Sequence, residues 1–462
     1  MLFYTYTSVG CGVGHPVVGR SVMRHGEVSH ACRQPCTRRS RGTLAPPKAM
    51  GDTTKTGGPC CGRSVGGCLK KYFWEGQKLS KADTLKFEAA KQHDQWHKSF
   101  IARYRRPIGF LLPVAFVQFI FWSAFSSYGR WYIFQEKYVM TLTMVFGGLI
   151  AGMTSEGGGA VAFPVLTLAL HAKPSVARDV SLMVQACGMS TATMAIMLQK
   201  IQVEWHSIVL CFSGGAIGAI SGFYTVDIWL SPIQKKMGFV TIWFSFAFAL
   251  FLLNRYHKRK TYYKIHNFKV WKAVALFFTG IVGGIFTSFA GGGLDICSFS
   301  MLTLLFRVTE KIATPTSVVL MATNSCLCFY WRTMVQQTMS REALDYIGVT
   351  GPVVTIMAPI GATLGSHFHR LVLASFVYVL DTVALVSAYI ILGPKLVGTP
   401  LLYISVGIIV FGFCFFYFLT VMGARTITEY EELGIPDTYE EKATLQQEKD
   451  ARKGIDNPAL DV

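Results

Sequence analysis

Long apolar stretches separated by short polar segments dominate the chain from residue 108 to residue 423. The longest stretches reach the roughly 20 residues that a helix needs to cross about 30 Å of hydrocarbon. Their period and length predict transmembrane helices near 108–128, 137–155, 178–198, 206–226, 237–253, 270–289, 312–331, 345–366, 371–393 and 401–423. Two shorter apolar segments remain between them, at 160–171 and 294–306. The pattern predicts an all-α polytopic membrane protein.

Composition agrees with this class, since 51% of the 462 residues are hydrophobic and only 15% are charged. The formal net charge of +18 also raises the alternative of nucleic-acid binding. Lys and Arg, however, are concentrated before residue 108 and between the apolar stretches, as in the cytoplasmic segments of membrane proteins. We therefore expect the lipid bilayer, and no nucleic acid, as a partner. The plasma membrane and an internal membrane both remain open.

The charge distribution also predicts how the chain is divided. Arginines directly before the first apolar stretch keep the N-terminal segment in the cytosol. The predicted order is a basic, largely disordered cytosolic arm, a first transmembrane repeat with a signal-anchor helix, a basic cytosolic linker, a second transmembrane repeat and an acidic cytosolic tail. These segments cover residues 1–106, 107–253, 254–272, 273–423 and 424–462.

Two parts of the membrane region contain the same motifs in the same order. GLIAGMTSEGGGAVAFPVLTLAL (148–170) is matched by GIVGGIFTSFAGGGLDICSFSMLTLLF (280–306), and ARDVSLMVQA (177–186) by ATPTSVVLMA (313–322). Polar positions repeat as well as apolar ones, so we infer an internal duplication. Each half contributes an odd number of crossings if the short apolar segments are counted, which predicts two inverted repeats.

The two triple glycines are the first candidates for a binding site. Glycines weaken a membrane helix and expose its backbone, which is tolerated where that backbone is buried in protein or lines a cavity. A helix that starts again after such a break presents free N–H groups and the positive end of its dipole to an anion. Close helix packing is the alternative, and we expect it for the glycines of GLIAG and GIVGG.

The candidate substrate-binding residues are these glycines with the hydroxyl and amide side chains near them. Hydroxyl and amide groups can donate hydrogen bonds to the oxygens of an oxyanion. The candidates are Thr154, Ser155, Gly157, Gly158, Gly159, Ser181, Thr287, Ser288, Gly291, Gly292, Gly293, Ser317 and Asn324.

Three acidic residues lie at membrane depth, where a charged side chain is costly and usually functional. Glu156 precedes the first triple glycine, Asp295 follows the second, and Asp381 lies within an apolar stretch. Each is a candidate for proton coupling, and a static ion pair with an arginine is the alternative. Arg178 and Lys311 lie at the starts of equivalent helices, where they could attract an anion or extend toward the membrane interface.

Enzymatic motifs give little support for catalysis. The chain contains no HExxH zinc motif, no GxxxxGK[ST] phosphate loop and no Asp-His-His-Cys sequence. We therefore predict no catalytic residues, no metal and no cofactor.

The duplicated set of motifs resembles the sulfite exporter TauE/SafE family of membrane transporters. The shared features are a Gly-rich helix, a GGG turn, a segment such as VLTLAL, a helix such as ATPTSVVLMATNS and a later Pro-Ile-Gly-Ala sequence, over roughly residues 137–423. The resemblance implies transport of sulfur-containing oxyanions or organosulfonates such as sulfite. The acids beside the two breaks depart from the family pattern and suggest proton coupling.

The expected function is secondary transport of a small anion by alternating access, with a midplane site between the two breaks. A homo-oligomer is compatible with this expectation. An anion channel is the alternative within transport, and it would need a continuous pore. A membrane receptor or scaffold is the alternative from another class, although repeated helix breaks bring no benefit to a scaffold.

Overall fold

The structure, a computed structural model, describes residues 96–199, 201–255, 260–368, 370–396 and 399–435. Most of the predicted arm and most of the predicted tail lie outside these residues. In the described part of the chain, nine helices are long and apolar enough to cross a membrane. The other regular elements there are shorter helices and one isolated β-bridge. The prediction of an all-α polytopic membrane protein is confirmed.

Every apolar stretch predicted from the sequence corresponds to a helix. The helix in the stretch 137–155 has only 16 residues and is not among the nine, because the backbone becomes extended at Thr154. In chain order the helices are α1 (Trp96–Tyr128), α2 (Ile133–Glu136), α3 (Tyr138–Met153), α4 (Gly159–Pro164), α5 (Pro174–Leu198), α6 (Trp205–Tyr224), α7 (Val226–Trp229), α8 (Pro232–Arg255), α9 (Val270–Ala290), α10 (Leu294–Ser300), α11 (Glu310–Tyr330), α12 (Arg341–His367), α13 (Arg370–Leu396) and α14 (Pro400–Glu432). Wider π-helical turns continue α4, α10 and α11 at Val165–Ala169, Met301–Leu305 and Trp331–Val335. Proline opens α5, α8 and α14, where its missing N–H needs no helical partner.

Helices α3 and α12 lie against each other through small residues. A Cβ atom added at Gly148 would lie 2.8 Å from Met357 Cβ and 3.4 Å from Val354 Cα. Further along α3, Met153 Cα lies 3.0 Å from the position of a Cβ atom at Gly365. The contacts advance in the same direction along both helices, so the two helices run parallel at backbone contact distance.

Helices α9 and α6 form the equivalent parallel pair, in which a helix of the second half packs against one of the first half. A Cβ atom at Gly284 would lie 2.7 Å from Ala219 N, and one at Gly218 would lie 2.8 Å from the carbonyl carbon of Ile281. The helix before each break therefore packs against the second long helix after the break of the other half. Glycine in GIVGG serves close helix packing, as the sequence suggested for this motif.

The turns that follow the two short helices have the same hydrogen bonds. Ala172 N donates to Leu166 O at 2.8 Å, and Val308 N donates to Leu302 O at 2.9 Å at the equivalent position. The residue before each donor has a positive φ, 53° at His171 and 57° at Arg307. Two segments of different sequence therefore adopt one local structure, as a duplication would produce. The inverted orientation of the two halves stays a prediction.

Contacts at the ends of the helices define what we call the linker face, formed by residues 260–272, 307–309 and the end of α14. Tyr262 N donates to Arg307 O at 2.9 Å, and Thr309 N donates to Tyr262 O at 2.9 Å. Helix α9 begins at this face and the segment after α10 returns to it. These two helices therefore form a hairpin with its turn inside the protein.

The opposite face contains the other helix ends, including the end of the α4 segment and the start of α8. Lys236 Nζ donates to Thr167 O at 2.7 Å. The exposed ion pair of Arg130 with Asp345, at 3.1 Å, joins the segment before α3 to the start of α12 at this face. Helices α3 and α4 therefore form a second hairpin, which begins and ends at the face opposite the linker.

Residues 424–432 continue α14, although the sequence analysis assigned them to the acidic tail that follows the last transmembrane helix. The physical reason is that the end of α14 packs on the linker. Tyr430 is fully buried, with its ring edge-on to Tyr262 at a centroid distance of 4.7 Å. The Lys272 ammonium lies 4.7 Å from the centroid of the Tyr430 ring. Aromatic and cation–π contacts stabilise these helical turns.

We predict that Gly284→Ala lowers the stability of the protein. The added methyl group would overlap backbone atoms of α6, which cannot rotate away, so we expect a loss of about 1–3 kcal/mol in the free energy of unfolding. Gly407→Ala in α14 is the matched control, because nothing lies within 4 Å of a Cβ atom there. Equal thermal unfolding of both purified variants in detergent would contradict the close α6–α9 contact.

Candidate functional site

The first helix break lies between Met153 and Gly159. Helix α3 ends at Met153, and Gly157 adopts a φ of +73°, which L-residues with a side chain rarely adopt. Thr154 and Glu156, which form the turn, are 6% and 0% exposed. The turn is thus buried inside the protein and does not face lipid.

The second break is made by the second triple glycine. Gly291 ends α9 in the left-handed conformation, with a φ of +81°, and its N–H donates to Thr287 O at 2.9 Å. Gly293 also has a positive φ, 142°. Asp295 Oδ1 accepts a hydrogen bond from Gly293 N at 2.8 Å, so a carboxyl group of the protein occupies the start of α10. The prediction of helices broken at both GGG turns is confirmed.

Both breaks meet at one side chain of α5, the fully buried Gln185. When its amide oxygen accepts from Gly159 N at 3.3 Å, its amide nitrogen lies 3.2 Å from Gly291 O and 3.1 Å from Ser325 Oγ. A Cβ atom at Gly292 would lie 2.9 Å from the nearer of the two terminal amide atoms of Gln185. A single amide therefore joins the backbone of the first break to that of the second.

Ser181 lies one helical turn before Gln185 and faces the same two breaks. Its Cβ would lie 3.4 Å from a Cβ atom at Gly159 and 2.8 Å from one at Gly291. The hydroxyl is buried and has no hydrogen-bond partner in the described part of the protein. A buried hydroxyl without a partner is costly, so it is available to a ligand that reaches this position.

Four of the other five predicted hydroxyl groups donate to carbonyl groups of their own helices. Thr154 donates to Ile150 O, Thr287 to Gly283 O, Ser288 to Ile285 O and Ser317 to Thr314 O, at distances of 2.9, 2.8, 2.7 and 2.8 Å. Because a hydroxyl group carries one proton, these groups can only accept further hydrogen bonds in this state. The Ser181 hydroxyl differs from these four because it makes no hydrogen bond in the described part of the protein.

The remaining predicted residues surround this centre or support it. Asn324 Nδ2 donates to Thr287 Oγ1 at 3.4 Å. A Cβ atom at Gly158 would meet Val184 Cγ1 at 2.8 Å, and one at Gly293 would meet Phe286 Cβ at 2.7 Å, so these two glycines serve packing. Ser155 is also buried, at 5% exposure.

The three predicted acids lie near one another. Glu156 lies close enough to Asp381 and to Asp295 for the charges of their carboxyl groups to interact. Among the described residues no hydrogen-bond donor reaches the oxygens of Glu156 or Asp381. The alternative of a static ion pair with an arginine is therefore not what the described structure shows. Two carboxylates offer only acceptors, so a hydrogen bond between these groups requires a proton on one of them.

The sequence analysis missed Gln185, although a signal was present. Gln185 follows Ser181 by four residues, which places both on one face of a helix. Its counterpart in the second half is Met321, and a Cβ atom at Gly157 would lie 2.9 Å from Met321 Cε. The available indication was a polar residue at membrane depth in one half, at a position where the equivalent residue of the other half is apolar.

Comparison with known proteins gives a family. The family described as Sulfite exporter TauE/SafE matches residues 140–392, more than half of the chain. No curated protein and no solved structure matches the chain. The matched residues contain both breaks, Ser181, Gln185 and all three acids. Members of the family are transporters and not enzymes. This chain is therefore an integral, multi-pass membrane transporter that belongs to the sulfite exporter TauE/SafE family.

Proposed function

We propose that this transporter carries a small sulfur oxyanion such as sulfite, or a small organosulfonate, by alternating access. The observation that carries the proposal is the meeting of the two helix breaks at Ser181 and Gln185. The substrate oxygens would accept from the free Ser181 hydroxyl, and from the amide of Gln185 once that amide leaves Gly291 O. A site built from backbone, one hydroxyl and one amide suits a small polar ion.

Burial of the site supports a carrier over an anion channel. Ser181 and Gln185 are 0% exposed, and Thr154, Ser155 and Glu156 are at most 6% exposed. The glycines of both breaks are buried as well. An open pore would keep such groups in contact with water, whereas a carrier passes through a state closed to both sides. A substrate reaches Ser181 only after one of the hairpins moves relative to α5.

We also propose that the linker face is cytosolic. The basic linker lies at this face, and short loops rich in Lys and Arg stay in the cytosol. Helix α1 ends beside the opposite face, where Arg130 contacts Asp345, so α1 begins at the linker side. The hairpin of α3 and α4 would then begin outside and that of α9 and α10 inside, which makes the repeats inverted.

Proton coupling follows from the acids around the site. An anion that approaches Asp295 and the pair of Glu156 with Asp381 is repelled if these groups are ionised. A proton held by the Glu156–Asp381 pair removes part of this repulsion. The proton and the anion would therefore move together, and release of one would favour release of the other.

We predict that Gly291→Ala reduces saturable sulfite flux into proteoliposomes at least about tenfold. Alanine at a positive φ is strained, and its methyl group would lie 2.7 Å from Arg178 O and 2.8 Å from Ser181 Cβ, where the breaks meet. Gly434→Ala is the matched control, with a φ of +64° and nothing within 4 Å of the added atom. Equal flux by both variants would place the site elsewhere.

We predict that Glu156→Gln abolishes sulfite accumulation driven by a pH gradient and preserves exchange of sulfite for sulfite. Glutamine keeps the shape of the side chain and cannot exchange a proton with Asp381. Glu136→Gln, at an exposed position of α2, is the control. Accumulation is measured with the gradient in each direction. Unchanged accumulation in the Glu156→Gln variant would mean that this pair does not carry the coupled proton.

A further inference from the structure

Five charged side chains form a buried cluster beside the site, on the face opposite the linker. We call Arg178, Asp179, Asp227, Lys235 and Arg332 the basic cluster. Arg332 holds Asp179 through two hydrogen bonds, Nε to Oδ1 at 3.1 Å and Nη2 to Oδ2 at 3.0 Å. Arg178 donates to Asp179 at 2.9 Å and forms an ion pair with Asp227. Lys235 contacts Asp227 at 2.6 Å.

The basic cluster joins the two halves of the transporter. Arg178 and Asp179 belong to α5, and Arg332 belongs to the turn after α11 in the second half. Both guanidinium groups lie against the ring of Phe223, with Cζ to centroid distances of 5.6 Å for Arg178 and 5.7 Å for Arg332. These contacts hold the halves together at this face, where the site would otherwise open.

The charges of the basic cluster do not balance. It contains three cations and two carboxylates, and the exposure of the five side chains ranges from 1% to 13%. One positive charge is therefore left over in a poorly hydrated place. Such an excess is costly, and a singly charged anion from solution would neutralise it.

The basic cluster also touches the second break. Arg178 Nη1 lies 3.4 Å from Ser288 O at the end of α9. Arg178 precedes Ser181 by one turn on α5, and Gln185 follows by another. A guanidinium, a hydroxyl and an amide thus follow one another along one face of α5, from the face opposite the linker to the point where the breaks meet.

We propose that the basic cluster is an anion-binding gate, in which an incoming oxyanion replaces the Asp227 carboxylate on Arg178. The replacement releases Asp227, with the Lys235 bound to it, from Arg178 Nη1. Because the same nitrogen contacts Ser288 O of the second half, the incoming anion also weakens that contact, and it is then delivered to Ser181. The proposal rests on the proposed transport of anions and adds a first binding position, with Arg178 as the group that contacts the anion.

Two substitutions of one ion pair test the charge of the gate. Asp227→Asn and Lys235→Gln both remove the contact between these residues, but they change the net charge of the basic cluster from +1 to +2 and to zero. We expect the KM for sulfite flux to fall roughly threefold to tenfold in Asp227→Asn and to rise by a similar factor in Lys235→Gln. A purely structural pair would shift KM in the same direction in both variants.

The double variant Asp227→Asn/Lys235→Gln restores the net charge of +1. We expect its KM to return to within about twofold of the native value, whereas structural damage would add. If one single variant does not fold, the other and the double variant give the same comparison. Arg130→Gln and Asp345→Asn break an exposed ion pair on the same face and should leave KM unchanged.

Binding separates this proposal from the proposed function. Half-saturation by sulfite is measured as thermal stabilisation of the purified full-length chain in detergent, for the native chain and the same variants. Opposite shifts of half-saturation in the two single variants, without any flux, would support the gate and contradict transport of sulfite. Native flux with equal or parallel shifts would support transport and overturn the gate. Absence of sulfite binding by the native chain would overturn the gate as well.

Discussion

Backbone polar groups that a helix break frees inside a membrane must find partners within the protein, because hydrocarbon offers none. In this transporter the requirement is met by bringing the two breaks together on α5. The amide of Gln185 supplies an acceptor to the first break and a donor to the second. The parallel glycine contacts of α3 with α12 and of α9 with α6 hold the hairpins at the distance that this amide can bridge. The rest of the fold positions these two turns.

The same arrangement leaves groups whose needs are not met by the described protein. The Ser181 hydroxyl has no partner, and the oxygens of Glu156 and Asp381 have no donor. Unmet polar groups in a buried place lower stability, and they are retained where function uses them. An oxyanion would supply an acceptor to the hydroxyl, and a proton would join the two carboxyl groups. In the proposed mechanism, substrate and proton would thus satisfy opposite needs at one site.

Much of the fold could be predicted from the sequence because a helix in hydrocarbon needs a long apolar stretch, and the stretches are explicit. The triple glycines could be recognised as breaks because no continuous helix benefits from them. The turn after α4 and the turn after α10 have little sequence in common beyond their leucines and threonine, yet they share their hydrogen bonds. Their duplication was visible only in the order of motifs.

The contents of the site were harder to predict because they depend on which helices become neighbours. The sequence placed Arg178 at the start of a helix. Its partner Asp227, and Arg332, which binds Asp179 together with it, lie far away in the sequence. The sequence placed Tyr430 in the tail. Its packing against Tyr262 depends on the linker folding back onto the end of α14, which no local pattern indicates. Spacing along one helix could relate Gln185 to Ser181, but it could not bring both to two separate breaks.

Sulfite counterflow in proteoliposomes tests most directly whether a closed site carries the anion. Vesicles loaded with unlabelled sulfite receive labelled sulfite outside, without a pH gradient or a membrane potential. A carrier that closes around its substrate predicts transient accumulation of label above its equilibrium level, because each inward step follows an outward step with unlabelled substrate. Entry of label that rises only to equilibrium, at a rate independent of the internal sulfite, would contradict alternating access and indicate a channel.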